Sequence, residues 1–247
     1  MGVVTMAVAI FMFSGRKIGL KQRWVMQESI SAPQVGGIVR MTGFILKTAF
    51  LIEAIGALLL ALRFCPQFGL GKGIWYGIFH AVSAFCNAGF DLMGETGAFS
   101  SLTGYVGDPL VNLVICLLIV VGGLGFLTWH DVAAHGRHVS QYRLQSKLIL
   151  LTTLALLVGG FLFFRFYEFS RPQWAALTGG ERGLAALFQS VSPRTAGFNT
   201  VDLTQLSACS QLMTILLMLA GGSPGSTAGG FKTTTLAVLL LSVGAVI

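Results

Sequence analysis

Two short stretches decide how this chain folds: residues 84–91 read AFCNAGFD, and residues 195–199 read TAGFN. Each follows a short, largely apolar run and has Ala-Gly-Phe at its centre. Glycine reaches backbone angles that are closed to other residues. We therefore predict a tight turn at the end of a short helix in both places, and two related structural units in one chain.

Composition indicates the solvent in which these turns lie. The chain has 247 residues, of which 54% are hydrophobic and 10% charged, whereas a soluble domain carries roughly 25% charged residues. This excludes an ordinary water-soluble domain and predicts a protein embedded in lipid. The net charge of +7 is interpreted as basic cytoplasmic loops rather than a nucleic-acid surface. The four cysteines have no Cys-x-x-Cys spacing and predict neither a disulfide framework nor a zinc site.

Hydropathy predicts membrane spans at four places, residues 42–62, 109–130, 148–168 and 208–247. A bilayer core needs roughly 20 helical residues, and runs of about 10–14 are more typical of re-entrant segments. The runs 73–86 and 183–194, which lead into the two turns, are therefore predicted to be re-entrant half-helices. The apolar run 2–13 is too short to cross, and we expect it to be the end of a helix whose start lies outside this chain.

Charge predicts the orientation of these segments. The links 14–47 and 129–147 together carry nine basic and two acidic residues, and the other links carry six of each. The positive-inside rule assigns the first two links to the cytoplasm. Both half-helices are then expected to enter from the outer face.

The chain also repeats itself. FHAVS at 79–83 resembles FQSVS at 188–192, and Gly-Gly at 122–123 recurs at 221–222. Parallel repeats of this kind are common in transport proteins, and non-helical backbone at membrane depth persists only where protein buries it or where water and ions reach it. We predict that the two turns line one pathway, in which carbonyl oxygens replace the hydration shell of a monovalent cation. The alternative is that the glycines are packing contacts between helices.

The last predicted span contains a break. Gly221–Gly230 holds five glycines and a proline, which cost about 1 and 3 kcal/mol respectively inside a helix. The break predicts either a mobile gate lining the pathway or a kinked packing face. Lys232, just beyond the break, is interpreted as a functional cation, a snorkelling side chain or a partner of a backbone carbonyl.

Longer motifs around these positions resemble a known family. SAFCNAGFD at 83–91 and SVSPRTAGFNT at 190–200 are similar to the second and third pore loops of the Trk/Ktr/HKT superfamily of potassium transporters, in particular its bacterial KtrB/TrkH membrane subunits. GGLGFLTWHD at 122–131 and GGSPGSTAGGFKT at 221–233 resemble the M2 helices of the second and third repeats.

The resemblance implies an all-α membrane protein of repeated M1–pore-loop–M2 units with a K⁺-channel-like fold. Residues 1–41 would be the end of the first-repeat M2 helix and a cytoplasmic link, 42–130 the second repeat and 131–247 the third. The start of the first repeat and the fourth repeat would be absent from this chain.

The resemblance also implies the site residues and partners. Filter oxygens would come from Asn87, Ala88, Gly89, Phe90, Thr195, Ala196, Gly197 and Phe198, with K⁺ held near Gly89 and Gly197. An intramembrane gate would comprise Gly222, Ser223, Gly225, Ser226, Thr227, Gly229, Gly230 and Lys232. The expected function is inward K⁺ conduction in the bacterial plasma membrane without a cofactor, with possible Na⁺ coupling. Expected partners are lipid, a second copy of the chain and a cytosolic nucleotide-binding subunit of the KtrA/TrkA type, with no nucleic acid.

Several polar residues carry open alternatives. Arg194 is expected to brace the second turn through nearby carbonyls or Asp202, or to face outward as a surface residue. Asp91 either attracts cations or caps a turn, and His80 is predicted to be a hydrogen-bonded packing residue. Glu53 is expected to pair with Lys47.

Two rival functions remain at this stage. One is a non-conducting helical membrane scaffold. The other is an intramembrane serine hydrolase that would use Ser223 or Ser226 with a histidine, although the chain lacks the G-x-S-x-G elbow.

Overall fold

Long apolar runs form helices because a helix satisfies its own backbone polar groups. The computed structural model describes residues 24, 38–95, 97 and 100–246. The predicted helix end at 2–13 and nearly all of the unit 1–41 lie outside the described residues. Within the described part, the α-helices are α1 (Ile38–Phe68), α2 (Leu70–Phe85), α3 (Pro109–Gly123), α4 (Phe126–His135), α5 (Leu144–Phe163, extended by a π-helical turn over Phe164–Glu168), α6 (Gly179–Val191), α7 (Ala208–Leu219) and α8 (Thr233–Val246).

The helix pattern confirms the predicted all-α class with half-helices and a broken last helix, and the described residues contain no β-strand. Among the described residues, two helices are long and apolar enough to cross a membrane, Arg40–Phe68 and Leu144–Glu168, and a bent helix pair could form a third span. The predicted half-helices correspond to α2 and α6. The predicted last span consists of α7 and α8, separated by the glycine-rich residues.

The predicted span over 109–130 consists of two helices, α3 and α4, which together are long and apolar enough to cross a membrane. Helices α3 and α4 meet at a bend of 98°, where Gly125 has φ +86°. A Cβ at Gly125 would come within 2.6 Å of the Pro224 carbonyl oxygen, so the glycine-rich segment occupies the space beside the bend. The Trp129 indole, which donates to the Val121 carbonyl (2.9 Å), spans the bend from its other end.

Each half-helix packs against a longer helix. A Cβ at Gly77 of α2 would lie 2.7 Å from the Ala57 carbonyl oxygen of α1, so this pair approaches almost backbone to backbone, as small residues allow in membranes. The main core joins α1, α2 and α3 to the second turn, through Phe64, Phe85, Ile115 and Phe198. The core therefore holds the two turns next to each other.

The loop ends of the helices are capped by polar groups. Asp108 accepts from the Val111 N–H at the start of α3 and pairs with Arg63 of α1. Thr178 and Glu181 form a capping box at the start of α6. These contacts determine where α3 and α6 begin.

Candidate ion pathway

The first turn begins where α2 ends. Asn87 and Gly89 have positive φ, +50° and +70°, and Ala88 between them does not. The Ala88 N–H donates back to the Ser83 carbonyl (2.9 Å), and the Ser83 hydroxyl donates to the Phe90 carbonyl (2.7 Å). A serine on the half-helix thus ties down the far end of its own turn.

The second turn repeats this construction after α6. Thr195 and Gly197 have φ +70° and +89°. The Ala196 N–H donates to the Ser192 carbonyl (3.0 Å), and the Ser192 hydroxyl donates to the Phe198 carbonyl. The sequence similarity of the pentapeptides is therefore matched by the same alternation of backbone angles and by the same serine tie.

The two turns touch through their glycines. A Cβ at Gly89 would lie 3.0 Å from the Gly197 Cα and would overlap the Ala196 carbonyl oxygen, and one at Gly197 would lie 3.5 Å from the Gly89 Cα. No side chain fits at Gly89 without moving the opposite backbone. The structure thus brings together the residues 87–90 and 195–198, which are 108 positions apart.

The carbonyl oxygens of the turns differ in availability. Those of residues 87–89 and 195–197 accept no hydrogen bond from any other described residue. The carbonyls of Phe90 and Phe198 already accept the serine hydroxyls. A cavity of about 380 Å³ borders Ala88 and residues 195–198. Unpaired carbonyl oxygens beside a cavity are the groups that can replace water around a cation.

The surroundings favour a monovalent over a divalent cation. Both half-helices point their C-terminal ends, which carry partial negative charge, at the turns. The described residues contain no cluster of three or more His, Cys, Asp or Glu side chains that could hold a metal ion. Carbonyl oxygens without carboxylates suit a weakly bound, mobile cation better than Ca²⁺, which prefers several carboxylates.

The glycine-rich segment between α7 and α8, residues 220–232, folds back on itself. The Gly222 N–H donates to the Gly229 carbonyl (3.0 Å), and the Phe231 N–H donates to the Leu219 carbonyl (3.2 Å). Ser223 is bonded to Thr233 through the two hydroxyls (3.0 Å), and the Ser226 hydroxyl donates to the Ser223 carbonyl (2.7 Å). The segment is an ordered loop within the protein.

This segment contacts both turns and the α3–α4 bend. The Thr227 hydroxyl donates to the Phe85 carbonyl at the end of α2 (2.8 Å), and the Gly229 N–H donates to the Thr195 hydroxyl (3.2 Å). Toward the bend, the Thr227 N–H donates to the Gly122 carbonyl (3.2 Å), and the Phe126 N–H donates to the Gly225 carbonyl (2.9 Å). The predicted gate residues thus lie directly against the predicted filter residues.

Lys232 and Gly230 complete the segment. The Lys232 ammonium donates to the Ala228 carbonyl (3.1 Å), which is the carbonyl-pairing alternative among those considered for it. Gly230 has φ +71° and lies against Gly221. Both residues close the loop on itself.

Arg194 bonds a backbone carbonyl, as one of the expected alternatives predicted, but this carbonyl does not belong to the second turn. The residue is 8% exposed, so it is no surface arginine, and its Nη2 donates to the Gly221 carbonyl (3.3 Å). It therefore bonds a carbonyl of the glycine-rich segment rather than its own turn or Asp202.

The other polar candidates serve structural purposes. Asp91 accepts from the Met93 N–H (2.9 Å) and so caps a turn. His80 is buried, with Nδ1 2.7 Å from the Tyr76 carbonyl oxygen and Nε2 3.4 Å from the Leu92 nitrogen, in agreement with its predicted packing role. The expected pair of Glu53 and Lys47 is absent from the ion pairs of the described residues.

Sequence analysis missed two buried carboxylates. Glu168 accepts from the side chains of Gln173, Trp174, Ser207 and Ser210 at 2.6–2.9 Å. Asp131 accepts from the Ser146 hydroxyl (2.6 Å) and lies 3.5 Å from the Arg143 guanidinium. Their position at the end of an apolar run was the available signal, and they anchor loops rather than the pathway.

Two similar helix-and-turn units meet at paired glycines, with free carbonyl oxygens and a glycine-rich loop beside them, and such repeated units with broken helices are typical of membrane transport proteins. The chain belongs to the TrkH family of cation transport proteins, whose family model matches residues 1–245. The family and the relatives named below are transporters and not enzymes.

Individual relatives agree with this assignment. The chain is 40% identical to the potassium/sodium uptake protein NtpJ of Enterococcus hirae over 99% of its length and 53% of that protein. It is 41% identical to the Ktr system potassium uptake protein B of Bacillus subtilis, over 98% of this chain and 54% of that protein. It therefore spans about half the length of these curated relatives.

A solved structure shares the fold. The potassium transporter TrkH from Vibrio parahaemolyticus superposes with a TM-score of 0.68 at 20% identity, over 99% of this chain and 46% of that one. This likeness supports the M1–pore-loop–M2 architecture.

Proposed function

We propose that this chain belongs to a K⁺ uptake subunit, in which K⁺ moves inward past the two turns, 87–90 and 195–198, and binds the unpaired carbonyl oxygens of residues 87–89 and 195–197. The observation that carries the proposal is the contact between Gly89 and Gly197, with unpaired carbonyl oxygens on both sides of it. Two relatives named as potassium uptake proteins support K⁺ as the cargo. The units 42–130 and 131–247 are proposed as two consecutive repeats around that pathway.

The glycine-rich segment is proposed to be the gate. It lies against the end of α2 and against Thr195 through single hydrogen bonds, and it contains glycines that allow the backbone to change conformation. Moving it away from the turns would break these bonds and the Arg194 bond to the Gly221 carbonyl, but would not unfold a helix. Gating loops in other proteins move on this principle.

The rival functions have less support. Ser223 and Ser226 bond to a threonine hydroxyl and a backbone carbonyl, and no histidine among the described residues bonds to either serine. A hydrolase needs such a pair. A passive scaffold gives no reason for carbonyl oxygens left without partners beside a cavity, because unpaired buried polar groups cost free energy.

The test is growth rescue of a K⁺-uptake-deficient bacterium by the full-length parent protein. We expect Gly89→Ala and Gly197→Ala each to abolish rescue at low K⁺, because both need positive φ and Gly89 has no room for a methyl group. The matched control is Gly94→Ala, where a Cβ meets nothing within 4 Å. Rescue by all variants at equal expression would contradict the proposal.

Partners and location belong to the same proposal. We infer a multi-pass protein of the bacterial plasma membrane that acts as a homodimer with a cytosolic nucleotide-binding subunit. The name of one relative, a component of a Ktr system, supports such a subunit. The name of another, a potassium/sodium uptake protein, supports Na⁺ coupling, which Rb⁺ uptake measured with and without Na⁺ would reveal.

A further inference from the structure

Arg194 is a buried cation without a counter-ion among the described residues. It is 8% exposed, and the ion pairs of the described residues involve other basic side chains. A buried charge is costly unless hydrogen bonds satisfy it. The location of Arg194 is therefore informative, because only a few groups are available to stabilise it.

In the part of the chain that the structure describes, its guanidinium donates to the Gly221 carbonyl, at 3.3 Å from Nη2. Gly221 lies in the first limb of the glycine-rich segment, residues 220–223, and Gly229 lies in its second limb, residues 228–232. Thr195, which follows Arg194 in the chain, accepts from the Gly229 N–H of the second limb. The two limbs are bonded to each other by Gly222 and Gly229. Adjacent residues of the second turn thus hold both limbs of the glycine-rich segment.

A second donor of Arg194, its Nε, is buried in a residue that lines a small void. This Nε has no hydrogen-bond partner, and the same is true of the buried Thr153 hydroxyl on α5. Both residues line a void of about 10 Å³ together with Gly123 and Gly222. Two unpaired buried polar groups at one void, of about the volume that a single water occupies, are the conditions under which a buried water is found.

We propose that this void holds one ordered water that accepts from Arg194 Nε and bonds to the Thr153 hydroxyl, and that Arg194 acts as a latch holding the glycine-rich segment against the second turn. The water extends the latch to α5, a helix that belongs to neither turn. Chloride would need more room than the void offers. Arg194 is a positioning residue here, and its role as a gate latch rests on the proposed function of that segment.

The test uses the full-length protein with its other cysteines replaced and Ser226→Cys as a reporter, since Ser226 is buried in the glycine-rich segment. The rate of modification by a small water-soluble thiol reagent measures how often the segment opens. We expect Arg194→Lys to raise this rate about tenfold, the factor that corresponds to losing one hydrogen bond from a charged donor. Lysine keeps the charge but lacks the planar fork that presents Nε and Nη2 together.

Thr153→Val provides the sharper variant, because it removes only the hydroxyl. We expect Thr153→Val also to raise the modification rate. The double variant should be modified no faster than Arg194→Lys alone, because both changes break the same connection. The matched control is Thr152→Val, whose hydroxyl bonds the Leu148 carbonyl of its own helix (2.7 Å) and which should label like the parent.

Equal labelling of the Thr153 and Thr152 variants would overturn the water-mediated latch, and so would a map that resolves ordered water and shows the void empty. If Arg194→Lys does not fold, the comparison of Thr153→Val with its control Thr152→Val tests the proposal by itself. Labelling needs no ion flux, so the latch is tested even if the parent protein fails to rescue growth, which would count against the proposed function instead.

Discussion

At the scale of single residues, glycine and serine shape the two turns. Gly89 and Gly197 allow positive φ and mutual contact of the backbones, and Ser83 and Ser192 hold the ends of the turns. Neither serine was singled out from the sequence, although both stand in the repeated FHAVS and FQSVS strings. Their role depends on a hydrogen bond across six or seven residues, and no local pattern indicates that bond.

Glu168 carries a residue-scale prediction. Its buried carboxylate accepts four side-chain hydrogen bonds, two from the loop that follows α5 (Gln173 and Trp174) and two from the start of α7 (Ser207 and Ser210). Glu168→Gln removes the charge and one acceptor oxygen, so we expect a loss of about 1–3 kcal/mol in the free energy of unfolding, seen as a lower Tm in detergent. Glu95→Gln, which alters an exposed pair with Lys72, should leave Tm nearly unchanged. Equal Tm values for the two variants would refute this role.

At the scale of elements, the α3–α4 bend and the glycine-rich segment form one packed unit. The segment donates to the Gly122 and Gly123 carbonyls and accepts from the Phe126 N–H. The bend leaves backbone groups unpaired within its own helices, and the segment satisfies them. A membrane helix can break at this depth because its neighbour supplies the missing partners.

A pair of glycine substitutions tests this packing. Gly125 and Gly136 both have positive φ, but a Cβ at Gly125 meets the Pro224 carbonyl at 2.6 Å and one at Gly136 meets nothing within 4 Å. Alanine at positive φ costs about 1–2 kcal/mol at either place. We expect Gly125→Ala to lower Tm clearly more than Gly136→Ala, because only the former also displaces the segment. Indistinguishable Tm values would mean that the bend and the segment are not tightly packed.

At the scale of the whole molecule, the helices bring carbonyls from positions far apart in sequence to one cavity. A cation bound there would stabilise the folded protein, because a ligand that binds only the native state shifts unfolding. The half-helices contribute by directing their C-terminal ends to the same place. The stability of the full-length protein should therefore depend on which cation is present.

We expect K⁺ to raise the Tm of the full-length parent relative to choline at equal ionic strength. The gain is about 2.7 kcal/mol at a concentration one hundred times the dissociation constant. Gly197→Ala should abolish the K⁺-dependent rise while Gly94→Ala keeps it. A rise of the same size in the Gly197 variant would place the stabilising ion elsewhere.

The sequence by itself determined the helical membrane class, the two half-helices and the break at Gly221–Gly230, because hydropathy, helix length and glycine content act locally. It also indicated both turns, since their repetition is visible in the letters. Only the tertiary structure decided the 98° bend between α3 and α4, the carbonyl that Arg194 holds and the contact of Gly89 with Gly197. Each of these depends on which distant backbone groups come within hydrogen-bonding or van der Waals distance, and packing of the helices sets that distance.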